Sequence, residues 1–194
     1  HEYVTMMTPE EQRNDIKRTV DTFQSVLGFK PQGYIMPGEL PTDETPGILV
    51  ELGYKYWMCF LHEDLPYVLK VNGGEMVLAS YGIWTTDHRT GQADSGRTPR
   101  ELLQIWKDNF DWIYEEGETY PGFISLGLHP FLIGRPFRTV ILREFLRYAK
   151  GHPGVWFPRG IDMANYWFEN CRDNLVEKWP NYGTGLAYEK TLAK

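Results

Sequence analysis

Two helix starts of the same form constrain this chain most: Thr8-Pro9-Glu10-Glu11 and Thr98-Pro99-Arg100-Glu101. In each, the threonine caps the helix and proline takes the first helical position. The glutamate reaches back to the cap backbone. After the first start, Ile16, Val20, Phe23 and Leu27 recur at helical spacing, and Gly28 is the natural stop. After the second come Leu102, Leu103, Trp106, Phe110 and Ile113, ending by Gly117. Further helices are predicted over about 45–52, 136–150 and 160–169. The short apolar runs 33–37, 54–60, 76–79, 122–128 and 155–157 read as strands. Short strands separated by longer helices predict parallel βαβ units, because an antiparallel sandwich would be joined by tight turns. The expected fold class is therefore α/β, with about five strands and four or five helices.

The chain has 194 residues and a mass of 22.7 kDa, enough for one domain over 1–180 followed by a tail, 181–194, without periodicity. Hydrophobic residues make up 42% and charged residues 24%, which excludes a disordered chain. No apolar run approaches the roughly 20 residues that span a bilayer, and the first residues have no signal-peptide pattern. No membrane partner is expected, and a cytoplasmic setting is. The net charge of −6, with scattered basic residues, speaks against nucleic acid. Cys59 and Cys171 belong to no CxxC or CxxH pair, so neither a zinc knuckle nor a redox pair is expected.

Of the five histidines, His62 reads as a loop residue and His152 as part of a helix-to-strand turn. His129 differs, because it closes the run 122–128 directly before Pro130. In parallel α/β folds, reactive groups gather where strands end and loops open. An imidazole there is suited to proton transfer near neutral pH. Asp87, after 81–86, can orient such a histidine. On spacing alone it serves equally well as a turn cap.

Leu128-His129-Pro130 followed by Gly134-Arg135-Pro136 resembles the late catalytic motif of the polysaccharide deacetylase (NodB-homology) family. The branch it resembles holds peptidoglycan-deacetylase-like proteins, cyclic imide hydrolases and allantoinase-like proteins. Other matches follow in order. His1-Glu2, with Met7 to Glu11, resembles the end of the family's paired-histidine motif and its following helix. Gly33-Tyr34-x-x-Pro37 with Glu39 resembles the segment written G-[YW]-R-A-P, and Ile35 stands at its arginine. Asp64-Leu65-Pro66-Tyr67 and Gly154-Val155-Trp156-Phe157 resemble connectors typical of the branch.

The resemblance implies an incomplete (β/α) barrel lacking its first strands. It also implies a metal-dependent hydrolase of a non-peptide carbon–nitrogen bond. A divalent metal (zinc first, with cobalt, nickel or manganese suited to similar ligands) polarises the carbonyl and acidifies a bound water, while a histidine protonates the leaving nitrogen. By motif, His1 corresponds to the second metal-binding histidine and His129 to the general acid. Asp87 corresponds to its orienting carboxylate, and Trp84, Tyr67 and Glu39 to the substrate cleft. The motif aspartate and first metal histidine have no counterpart here. The resemblance thus implies an N-terminal fragment or companion chain completing the barrel, assembly into a homo-oligomer, and poor stability of the isolated monomer. The expected substrate is a small linear or cyclic amide, with an N-acetylated sugar as the other class. A non-catalytic binding or assembly subunit on the same scaffold is the alternative, motivated by Ile35.

Overall fold

A computed structural model describes residues 3–36, 38, 40–59, 64–71, 73–82, 84–88, 96–172 and 175–176. The chain divides into two compact units. The first comprises 1–62, 66–79 and 158–194, and the second 63–65 and 80–157.

The first unit opens with a 3-10 turn, Val4–Met6, and helix α1, Pro9–Leu27. The Thr8 side chain accepts from the Glu11 N–H, and the Glu11 carboxylate accepts from the Thr8 N–H. Gly28 ends the helix at φ 79°, where a side chain would be strained. Buried Gln12, Ile16 and Val20 form its packed stripe. Phe23 and Leu27 lie in the helix as expected, but they are exposed, as is every residue over 21–30. Helix α2, Thr45–Glu51, is tied to α1 by polar contacts. Gln12 Nε2 donates to Thr42 Oγ1, and the Thr45 hydroxyl donates to Gln12 Oε1 at 2.8 Å, so the buried amide is satisfied at both ends.

Strands β1 (Gly33–Ile35), β2 (Tyr56–Cys59), β3 (Tyr67–Val71), β4 (Gly74–Ser80) and β5 (Leu175–Val176) form one sheet in the order β1-β2-β4-β3-β5. The pairs β1–β2 and β3–β5 are parallel. The pair β3–β4 is an antiparallel hairpin in register Leu69 with Met76, which corrects the all-parallel expectation. Tyr67, expected as turn material, opens β3, and Gly74, from the second expected turn, opens β4. The pleat divides side chains by parity. Tyr67, Leu69, Met76, Leu78, Trp57 and Cys59 join Ile16, Val20, Ile48 and Leu49 in one core, while Val68 and Val77 are fully buried outside that cluster. Helix α6, Gly160–Asn170, begins under the Tyr56 ring. A Cβ at Gly33 or Gly160 would lie 2.0 or 2.5 Å from that ring, so only glycine fits.

The second unit contains α3 (Pro99–Glu116), the short α4 (Pro130–Ile133) and α5 (Pro136–Lys150). The predicted capping box of α3 is present. Leu102, Leu103, Trp106 and Phe110 of α3 pack with Ile141, Phe145 and Ala149 of α5. The Trp106 and Phe145 ring centroids are 5.6 Å apart. The expected strands 122–128 and 155–157 are corrected, because neither has a strand ladder here. The apolar pattern of 122–128 is real, but a strand also requires a neighbour whose backbone it pairs with along its length. No helix among the described residues is long and apolar enough to cross a membrane.

Candidate active site

The second unit builds a polar centre where its two irregular segments run side by side. The Asp87 N–H and the Thr86 hydroxyl both donate to the Gly127 carbonyl, each at 2.9 Å. The Thr85 hydroxyl donates to the Ser125 carbonyl. Gly127 is required at this crossing, since a Cβ there would meet Thr86 Oγ1 and the Tyr81 ring, each at 2.9 Å. On the far side, the fully buried Trp106 of α3 donates its indole N–H to the Thr85 carbonyl at 2.7 Å. The segment that carries Asp87 is therefore held from both flanks.

These contacts bring Asp87 and His129 together, though they are distant in sequence. The Asp87 side chain is fully buried, and the His129 side chain keeps 30% of its exposure. The His129 backbone N–H donates to both carboxylate oxygens at 3.1 and 3.0 Å, and its ring Nδ1 lies 2.7 Å from Asp87 Oδ1. A carboxylate oxygen only accepts, so the Nδ1 proton points at Asp87. Nε2 is thereby left as the atom that presents or takes a proton. His129 also caps α4, with extended backbone (φ −112°, ψ 121°), and its carbonyl accepts from the Leu132 and Ile133 N–H groups.

Two neighbours were not anticipated from sequence. The His88 ring centroid lies 5.2 Å from that of His129, and the Phe131 ring meets His129 edge-on at 5.6 Å. Both adjoin a residue already singled out, and that adjacency is the signal that could have found them. Trp84 is 70% exposed, in the turn before Asp87. Tyr67 is a buried core residue of β3 in the first unit, and Ile35, at the motif arginine, ends β1 half-exposed. His1, Glu39, His62 and the tail 181–194 lie outside the described residues.

Among the described residues, no group of three or more His, Cys, Asp or Glu side chains could hold a metal ion. The oxygens of Asp87 are already engaged by His129. The described side chains thus do not fit a metal site by themselves.

No family model matches the chain. A peptidoglycan deacetylase of Helicobacter pylori is 23% identical over 187 residues, covering 80% of this chain and 63% of that protein. Among solved structures, PuuE allantoinase superposes with a TM-score of 0.79 at 29% identity, over 88% of this chain and 57% of that one. A Pseudomonas aeruginosa PAO1 protein classed with the polysaccharide deacetylases gives 0.78 at 29%, over 89% and 57%. The chain is similar to polysaccharide and peptidoglycan deacetylases and to an allantoinase. Its mixed α/β fold matches these neighbours as a partial (β/α) barrel. The chain spans 63% of the length of the curated relative and 57% of each of the two structures.

Proposed function

We propose that this protein takes part in hydrolysis of a non-peptide carbon–nitrogen bond, with His129 as proton donor to the leaving nitrogen and Asp87 as its orienting carboxylate. The observation that carries the reading is the 2.7 Å contact of His129 Nδ1 with a fully buried carboxylate. An amide nitrogen leaves only when protonated, so a histidine with a fixed Nδ1–H and a presented Nε2 supplies the needed step. Asp87 holds the ring in that tautomer and balances the charge it carries when protonated. Exposed Phe131 offers apolar surface beside His129, and Trp84 is exposed three residues before Asp87. A divalent metal, zinc first, belongs to this proposal through the resemblance alone, with ligands other than the described residues, and no step here depends on it.

The substrate we favour is a small linear or cyclic amide, with an N-acetylated sugar second. The names of the relatives, an allantoinase and a peptidoglycan deacetylase, span both classes. The test is turnover of ureides, cyclic imides and N-acetylglucosamine oligomers with zinc, cobalt, nickel or manganese supplied. His129→Ala should lower turnover by about 10²–10⁴-fold. Unchanged turnover would remove His129 from the mechanism. Absence of turnover with every metal and substrate would favour the second reading, a non-catalytic binding subunit, for which Ile35 at the motif arginine speaks.

A further inference from the structure

Arg138 is a cation in the wrong place for a protein standing alone. Its residue is only 7% exposed, its Nη1 is buried without a hydrogen-bond partner, and it enters no ion pair among the described residues. An uncompensated buried charge is strongly unfavourable, and such groups are ordinarily paired. Arg138 also sits in the first turn of the fifteen-residue helix α5. Helical side chains lean toward the N-terminus, and the guanidinium carbon lies 5.7 Å from the ring centroid of Phe137 in the same first turn, where the helix dipole is positive. That end has no side-chain cap and no acidic residue in its first turn, and its cap position is a second cation, Arg135. At the third helical position, where α5 has Arg138, α1 and α3 have Glu11 and Glu101. The start of α5 therefore gathers positive charge from three sources, with no acidic residue in its first turn and no ion pair to Arg135 or Arg138 among the described residues.

This turn is joined to the dyad. Arg135 Nε donates to the Phe131 carbonyl at 3.2 Å, and the Phe131 ring packs on His129. The Thr139 hydroxyl donates to the Ile133 carbonyl, whose own N–H is bound by the His129 carbonyl. We propose that the N-terminal turn of α5, with Arg138 at its base, binds a carboxylate, and that this carboxylate belongs to the amide substrate.

The assignment of the substrate as the source rests on the hydrolase reading above. The chemistry selects a carboxylate over a phosphate. The planar fork of a guanidinium matches the two oxygens of a carboxylate. A phosphate cradle needs several free backbone N–H groups. Here Pro136 has none, and the Arg138 and Thr139 N–H groups already donate to the Arg135 carbonyl, each at 2.8 Å. The substrate class becomes an amide that carries a carboxylate away from the scissile bond.

The test compares thermal unfolding of the chain and of Arg138→Met in chloride, malonate and phosphate at equal ionic strength. In chloride, Arg138→Met should unfold at the same temperature or higher, because it removes an unpaired buried charge. A fall of several degrees would mean that the guanidinium has a partner within the chain, and would overturn the proposal. Malonate should raise the midpoint of the parent chain by a few degrees and leave Arg138→Met unmoved. Calorimetry should then give a dissociation constant weakened at least about tenfold by the substitution. Equal stabilisation of both proteins, or stronger stabilisation by phosphate, would also overturn it. His129→Ala should keep the full malonate response, so the binding site stands or falls apart from the hydrolase reading. The source is tested with two amides that differ only in a distal carboxylate. Arg138→Met should raise KM for the acid about tenfold more than KM for the neutral amide, whereas equal effects would exclude the substrate as the source.

Discussion

His129 donates to Asp87 twice, once from its backbone N–H and once from its ring Nδ1. The two contacts have different consequences. The backbone contact fixes where the chain turns into α4, and the ring contact fixes which nitrogen faces outward. Asp87→Asn tests the difference. An asparagine side chain offers one acceptor in place of two and would favour the tautomer with its proton on Nε2 already committed. Turnover should fall about 10²–10⁴-fold with the thermal midpoint only slightly changed. Asp87→Ala leaves the half-buried His129 N–H without its carboxylate partner, at about 1–3 kcal/mol of stability, readable by denaturant unfolding. Equal stability of the two variants would contradict this division of roles.

Gly127→Ala places a methyl group against Thr86 and Tyr81 at distances no relaxed packing allows. Thr86 precedes Asp87, so the displacement reaches the dyad directly. We expect a loss of about 1–3 kcal/mol, together with weakened turnover. Ring-proton NMR shifts of His129 should move as well, and their constancy would show that the crossing does not position the dyad.

Trp106→Phe removes the indole N–H that satisfies the Thr85 carbonyl and keeps most of the apolar volume packed on Phe145. The cost should be about 1–3 kcal/mol from the unpaired buried carbonyl. Faster amide hydrogen exchange in residues 84–88 is the local signature to measure.

The two capping boxes make stability depend on acid. Glu11 is held below its ordinary value of 4.5 by the Thr8 backbone N–H and then its hydroxyl, and Glu101 likewise by Thr98. A carboxyl with a lowered folded pKa contributes fully above its unfolded value. That contribution is lost as pH falls through the lower folded value. The thermal midpoint should therefore decline below about pH 4.5. The double variant Glu11→Gln, Glu101→Gln should decline less steeply over the same interval, and parallel curves would remove these two groups as the cause.

Local signals in the sequence determined much of this protein. Thr8, Pro9, Glu11 and Gly28 specify α1 almost to the residue, and Thr98, Pro99 and Glu101 do the same for the start of α3. Caps and helical periodicity act over a few residues, so they can be read without knowing the fold. His129 before Pro130 was likewise legible, as was Asp87 as a candidate partner. Only the tertiary structure decided that the two meet, because the crossing of 85–87 with 125–129 depends on Gly127 and on Trp106 bracing from α3. It decided too that Tyr67–Val71 and Gly74–Ser80 pair antiparallel and that 122–128 has no strand ladder, since a strand exists only with its neighbour. The uncompensated burial of Arg138 is of the same kind. Its charge is written in the sequence, but its burial, and an Nη1 with no hydrogen-bond partner among the described residues, are properties of the packed chain.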